Sequence, residues 1–286
     1  MSAALPVVRS VAELRARVKY WRDQGLTIAL VPTMGALHRG HLSLVSHALD
    51  CADRVVVSIF VNPTQFGPHE DFSRYPRQEE QDAALLEEGG CHLLFAPTVA
   101  EMYPDGFATT VTVSGPADGL CGTVRPGHFA GVATVVTMLL LQAQPDVAVF
   151  GEKDYQQLAV IRRFARDLHI PATILGAPTL READGLAMSS RNAYLTAGER
   201  AIAPALYREL QGVAEGLRAG GQAAELCRTA TARLLDSGFA AVDYVEVREA
   251  QTLAPMTILD RPVRILAAAR LGKTRLIDNL GEAPAG

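Results

Sequence analysis

Short runs rich in valine, isoleucine and leucine recur along the chain up to about residue 178, and stretches with helical spacing of apolar positions separate them. The runs predict strands at Thr27–Val31, Arg54–Val61, His92–Ala96, Val147–Phe150 and Ala172–Leu175. The intervening periodicity predicts helices at Leu42–Cys51, Glu79–Glu88, Val132–Gln142 and Tyr155–Leu168. The segment VVVSIFV lacks polar alternation, as expected of a strand buried on both faces of a parallel sheet. Strand and helix in alternation imply an α/β fold, a Rossmann-like doubly wound parallel sheet covered by helices. Thr109–Val113 and the loop SGPADGLCGTVRPGH after it interrupt the alternation and read as an excursion from the sheet. Beyond Pro178 the pattern changes. Alanine-rich helical sequence at Thr196–Ala219 and Ala223–Asp236 precedes β-patterned segments at Ala241–Arg248, Val263–Arg270 and Thr274–Asp278. The expected organisation is a larger domain over 1–178 and a smaller α+β domain over 179–286, with a frayed tail GEAPAG.

Composition narrows the class. With 49% hydrophobic and 20% charged residues, a chain of 286 residues is neither disordered nor short of core. Cys51, Cys91, Cys121 and Cys227 lie far apart, which excludes paired zinc-ligand spacing and makes a disulfide scaffold implausible. A formal net charge of −4 lacks the electrostatic footprint of a duplex-DNA binder and favours small-molecule partners over nucleic acid. The most apolar window, Gly131–Leu141, is interrupted by Thr134 and Thr137 and falls short of the roughly 18 residues of a membrane span. The N-terminus lacks a charged region followed by an apolar one, so the expected location is the cytoplasm.

Candidate chemistry gathers at strand ends. The strand TIALV runs directly into PTMGALHRGH and then an apolar helix, which places His38 and His41 at a helix N-terminus. Unpaired backbone N–H groups and the positive end of the helix dipole favour an anion there, and Gly35 and Gly40 let the backbone approach a phosphate. Two imidazoles in that position can stabilise charge developing on phosphorus. The same spacing also suits one histidine capping the turn while the other faces solvent. There is no GxxxxGK[ST] loop, nor a GxGxxG at the first strand. A second group, FGEKDYQQL, follows the Val147–Phe150 strand: Lys153 suits phosphate, Asp154 a ribose hydroxyl and Gln157 a polar substrate. A third, READGLAMSSRNAYL, sets Ser189 and Ser190 beside Arg191, although a serine N-cap with a surface arginine gives the same tetrapeptide. A fourth, FVNPTQF, offers Asn62 and Gln65 as neutral donors, with Phe66 and Met34 as an apolar wall.

PTMGALHRGH resembles the HxGH signature of nucleotidyltransferases related to class I aminoacyl-tRNA synthetases, and MSSR stands where that superfamily has its mobile KMSKS-type loop. VPTMGALHRGH, FVNPTQF, GEKDYQQL and MSSRN in this order resemble the pantothenate synthetase (pantoate–β-alanine ligase) family from about Leu30 to Leu195. The resemblance implies ATP-dependent condensation of pantoate with β-alanine through a pantoyl adenylate, in a homodimer, with ATP and Mg²⁺ required. It implies an ATP-binding set of Met34, Gly35, Ala36, Leu37, His38, Arg39, Gly40, His41, Gly151, Glu152, Lys153, Asp154, Leu180, Met188, Ser189, Ser190 and Arg191. Within that set His41, His38 and Lys153 take the catalytic roles, with His41 in the proton-donor position. Gln65 and Gln157 are implied for pantoate, and Gln65 also for β-alanine.

Asp82 is the candidate Mg²⁺ ligand. Relatives can carry two adjacent aspartates where this chain has Gln81 and Asp82. Glu79 and Glu80 read as a solvated first helical turn, and Arg125 in RPGHF as a loop arginine that is structural or touches substrate. The alternative activity is nucleotidyl transfer to a phosphorylated acceptor, which calls for added basic residues where this chain is amide-rich.

Overall fold

The computed structural model describes residues 4–67 and 72–284, so the last two residues of the expected frayed tail lie outside the described residues. In chain order the elements are β1 (Val7–Val8), α1 (Val11–Arg22), β2 (Ile28–Thr33), α2 (Arg39–Leu49), β3 (Arg54–Ile59), α3 (Glu79–Glu88), β4 (Leu93–Phe95) and α4 (Val99–Met102). There follow α5 (Cys121–Val124), α6 (His128–Ala143), β5 (Val147–Gly151), α7 (Tyr155–Asp167) and β6 (Thr173–Ala177). The chain ends with α8 (Ala197–Ile202), α9 (Ala205–Arg218), α10 (Ala223–Asp236), β7 (Ala241–Glu249), β8 (Val263–Leu271) and β9 (Thr274–Glu282). Two compact units result: the first holds 1–113, 125–152 and 160–178, and the second holds 114–124, 153–159 and 179–286. The change in sequence pattern near residue 178 therefore coincides with a unit boundary, while two shorter segments also join the second unit. Among the described residues no helix is long and apolar enough to cross a membrane.

The first unit is built on a six-stranded sheet of order β1-β4-β3-β2-β5-β6 in which every pairing is parallel. Val55, Val56 and Val57 on β3 are fully buried, which accounts for the uninterrupted apolar run there. The chain steps outward from β2 through β3 to β4, then returns with β5 on the other flank of β2. Strand order thus reverses between β2 and β5, the place where open α/β sheets bind ligands beyond the strand carboxyl ends.

Four of these elements were not expected from the pattern: β1, α1 and the one-turn helices α4 and α5. Only Leu14, Val18 and Trp21 of α1 are buried, so its apolar stripe is thin, and its start rests on a capping box between Ser10 and Glu13. The expected single helix Thr196–Ala219 is two helices, because Pro204 lacks an N–H and its ring clashes with the preceding turn. Thr109–Val113 forms no strand. In the second unit β7, β8 and β9 form an antiparallel sheet. Leu206, Leu210, Val213 and Leu217 repeat along one face of α9 and share a core with Ile265, Ala267 and Ala269 of β8.

The turn from β2 into α2 is fixed from outside. Gly35 and Ala36 both have positive φ, 79° and 52°. Asp82, in the first turn of α3 and 1% exposed, accepts the Ala36 N–H at its Oδ2 and the Leu37 N–H at its Oδ1, each at 2.8 Å. A Cβ on Gly35 would stand 2.9 Å from Asp82 Oδ2, so glycine is required for space as well as for φ. A second close approach lies at α6, where a Cβ on Gly131 would come within 2.5 Å of the Thr64 carbonyl oxygen.

Two stability outcomes follow from these contacts. Asp82→Asn turns an amide NH₂ toward one of the two backbone donors, and should lower stability by about 1–3 kcal/mol, read as an earlier urea midpoint at unchanged slope. An unshifted midpoint contradicts the assigned contact. Gly131→Ala presses a methyl group onto backbone that cannot rotate away, and should cost about 1–3 kcal/mol in the same assay.

Candidate active site

At the reversal point of the first unit, β2 and β5 pair at Ala29–Val147 and Leu30–Ala148, and both strands run on past that ladder, to Thr33 and Gly151. Gly151 and the turn leading to α2 therefore both lie at the carboxyl ends of neighbouring strands. Thr33 donates its hydroxyl to Ser58 O at 2.8 Å and accepts the Gly35 N–H at 3.2 Å, which pins the start of the turn. Leu44 of α2 is the nearest neighbour that a Cβ on Gly151 would meet, at 3.9 Å.

His38 is the N-cap of α2. Its Nδ1 accepts the Gly40 N–H at 3.1 Å, and its own N–H donates to Nδ1 of His41 at 3.3 Å. The ring centroids lie 4.1 Å apart, tilted by 47°. Capping and ligand binding are thus compatible: an imidazole that accepts through Nδ1 carries its neutral-state proton on Nε2, the form that donates to an anion. No acidic side chain occupies the first turn of α2, so the positive end of the helix is not neutralised from within.

Beside this turn, Asn62 and Gln65 have unequal tasks. Asn62 is 1% exposed; its Oδ1 accepts from Tyr103 OH at 2.8 Å and Thr64 Oγ1 at 3.0 Å, and its Nδ2 donates to Gln65 Oε1 at 3.1 Å and Gly131 O at 3.2 Å. Gln65 Nε2 lies 3.0 Å from Met34 Sδ, so the Gln65 amide is held at both ends. Its backbone is held as well: His128 Nδ1 is 2.9 Å from Gln65 O, and Arg125 lies 2.9 Å from His128 Nε2 and 3.4 Å from the same carbonyl. Arg125, left open between substrate and structure, therefore takes part in holding the Gln65 backbone. Phe66 packs its ring on Phe72 and Tyr75. Burial raises the Tyr103 phenol above its ordinary pKa, which keeps it protonated as the donor to Asn62. Neither Tyr103 nor His128 lies in a motif that marks these contacts; the one local signal is a histidine placed where RPGHF starts a helix.

Asp82 does not stand as a metal ligand would. Both carboxylate oxygens serve the turn below His38, and it is all but inaccessible. Among the described residues no cluster of three His, Cys, Asp or Glu side chains is arranged to hold a metal ion. The residues present do not fit a Mg²⁺ held by protein ligands alone.

The second unit assembles the other candidates. Lys153 and Asp154 occupy a single 3-10 turn before α7, with Lys153 Nζ 3.8 Å from Asp154 Oδ2. Gln157 is half-buried on the first turn of α7, while the neighbouring Gln156 is 4% exposed and serves the backbone. Gln156 accepts the Cys121 N–H at 3.0 Å and donates to Pro116 O and Gly119 O. Leu180 and Met188 face each other across a small hairpin, the Met188 N–H donating to Leu180 O at 3.0 Å. Ser189 caps the 3-10 turn Ser190–Tyr194 by accepting the Arg191 N–H at 3.3 Å. The capping serine and the serine-arginine cluster are therefore the same structure.

Known proteins match this arrangement along its whole length. A profile of the pantoate–β-alanine ligase family covers residues 6–281. A pantothenate synthetase from Paramagnetospirillum magneticum is 74% identical over 284 residues, spanning 99% of this chain and 100% of its own. One from Rhodospirillum rubrum is 58% identical over 279 residues, spanning 97% and 99%. The crystal structure of pantothenate synthetase from Thermus thermophilus superposes with a TM-score of 0.90 at 50% identity, covering 98% of this chain and 100% of that one. That of the ligase from Francisella tularensis, complexed with beta-gamma ATP and β-alanine, gives 0.82 at 35% identity over 97% of each chain. With signature turn, amide pair and serine-arginine turn set in one continuous match, the chain belongs to the pantoate–β-alanine ligase family.

Proposed function

We propose that this enzyme joins pantoate to β-alanine in two steps through a pantoyl adenylate, supplying pantothenate for coenzyme A biosynthesis. The observation that carries the reading is the turn at the β2–β5 reversal, where His38 and His41 open a helix whose own first turn holds no acidic residue. In the first step a pantoate carboxylate oxygen bonds to the α-phosphorus of ATP as the bond to the β-phosphate oxygen breaks, and pyrophosphate departs with the electron pair. The carboxylate is already anionic at neutral pH, so the step needs positioning and charge compensation rather than a strong base. His41 and His38 donate to the phosphates through Nε2, with the Met34–His41 backbone, including Arg39, around the nucleotide. Gly151 and Glu152 belong to the same nucleotide set, Lys153 compensates phosphate charge, and Asp154 meets the ribose.

Leu180 and Met188 receive the adenine through backbone groups, and Ser189, Ser190 and Arg191 hold the phosphates. Gln65 and Gln157 bind pantoate as neutral amides that leave the carboxylate its nucleophilicity. In the second step the β-alanine amine, entering beside Gln65, bonds to the acyl carbon and AMP leaves. The β-alanine ammonium gives up two protons in all, one to free the amine and one as the amide forms, and both pass to water or to product phosphate oxygens. The Francisella complex with beta-gamma ATP and β-alanine supports both substrates. Mg²⁺ accompanying ATP would supply further compensation of the phosphate charge. The enzyme acts as a cytoplasmic homodimer, a state that sedimentation equilibrium reads directly.

The test is exchange of radiolabelled pyrophosphate into ATP with Mg²⁺ and pantoate but no β-alanine. Pantoate-dependent exchange is expected, and its absence from folded, ATP-binding protein overturns the adenylate. His41→Ala should reduce that exchange by about 10²-fold, the order expected for loss of one transition-state donor, and should slow AMP release from preformed adenylate less. Equal loss in both half-reactions contradicts the role given to His41.

A further inference from the structure

Asp278 and Asn279 are consecutive buried polar residues on β9, an edge strand, 4% and 3% exposed. Each makes its connection to a segment far away in the chain. The Asp278 carboxylate accepts from both terminal nitrogens of Arg181, at 2.7 and 2.9 Å. Arg181 also donates to Gly185 O at 3.0 Å and Asn279 O at 3.2 Å, and its guanidinium lies 3.6 Å from the centroid of the Tyr207 ring. The hairpin that pairs Leu180 with Met188 is thereby closed at its base and filled at its tip. Asn279 donates its side-chain amide to the backbone carbonyl of Lys153 at 2.8 Å. Its own N–H donates to Asp278 Oδ1 at 2.7 Å, which ties the two anchors together.

We infer that Asp278 and Asn279 are a positioning pair for the nucleotide: Asp278 holds the Leu180–Met188 hairpin through Arg181, and Asn279 holds the backbone from which Lys153 extends. This rests on the proposed placement of Lys153 against phosphate. A lysine ammonium rides on a flexible four-carbon stem, so the place it can reach is set by where its backbone is fixed. The Lys153 turn is held from its carbonyl by a residue 126 positions away, and loss of that bond releases the start of the stem.

The experiment is a double-mutant cycle on pantoate-dependent pyrophosphate exchange, using the full chain. Asn279→Ala should lower kcat/KM for ATP by about 10- to 100-fold, the scale of a misplaced catalytic group, while KM for β-alanine in the complete reaction stays within twofold. In a Lys153→Ala background the same change should cost less than twofold, because no ammonium remains to misplace. Asn279→Asp, of equal volume but unable to donate to the Lys153 carbonyl, should reproduce the loss if Asn279→Ala folds poorly. Equal losses in both backgrounds, or a loss shared by all three substrates, overturn the inference and leave a structural residue. A Lys153→Ala variant with normal exchange instead removes the phosphate role of Lys153, and the inference falls with it. A damaging Lys153→Ala beside a silent Asn279→Asp removes the anchor alone.

Discussion

The organisation of the first unit depends on how its chain passes from β2 to α2. The backbone must leave a central parallel strand, cross two residues of positive φ and enter a helix with its first N–H groups pointing outward. Left-handed backbone at Ala36 carries a steric cost for any residue with a Cβ, and two adjacent amides within the turn have no intrahelical acceptor. Asp82 answers both problems with one buried carboxylate. The buried charge is sustained because its oxygens meet backbone donors, and the donors are satisfied without using the helix N-terminus itself. Since α3 supplies Asp82, the packing of α3 on the sheet and the conformation of the signature turn form one problem.

The same reasoning explains which features were legible in the sequence. The β2, β3 and β5 runs are recognisable because central parallel strands bury both faces, so a few consecutive β-branched residues suffice. α3 and α10 match their expected bounds because polar residues frame their apolar positions. α1 escaped notice because three buried side chains over twelve residues are a faint stripe, although its capping box was readable. α8 and α9 were merged because alanine-rich sequence sustains helical periodicity across Pro204, where the backbone cannot.

At the candidate site, the part that was legible in the sequence is local. HxGH at a strand end carries its own meaning, since the strand, the glycines and the helix start lie within a dozen residues. In sequence an aspartate in a helical first turn looks the same whether it faces a cation or a distant turn; the backbone partners of Asp82 lie 45 and 46 positions away. Asn279 was invisible for the same reason, and Tyr103 and His128 act through Asn62 and the Gln65 carbonyl rather than through any motif. Residues that contact a ligand tend to sit in recognisable strings, while residues that fix those strings are scattered, because the fold chooses them by position.

That distinction bears on the amides. Asn62, Gln65, Gln156 and Gln157 look interchangeable in sequence, two pairs of neutral donors beside the signature segments. The fold divides each pair: Asn62 and Gln156 are almost wholly buried and spend their hydrogen bonds on backbone and neighbouring side chains, whereas Gln65 and Gln157 keep partial exposure. A neutral amide serves both purposes because it carries donor and acceptor together and costs little to desolvate compared with an ion. An ionised residue at Asn62 would need a buried counter-charge. The amide-rich composition of these segments thus meets two different demands: a fully paired buried node at Asn62 and Gln156, and a half-exposed neutral amide at Gln65 and Gln157.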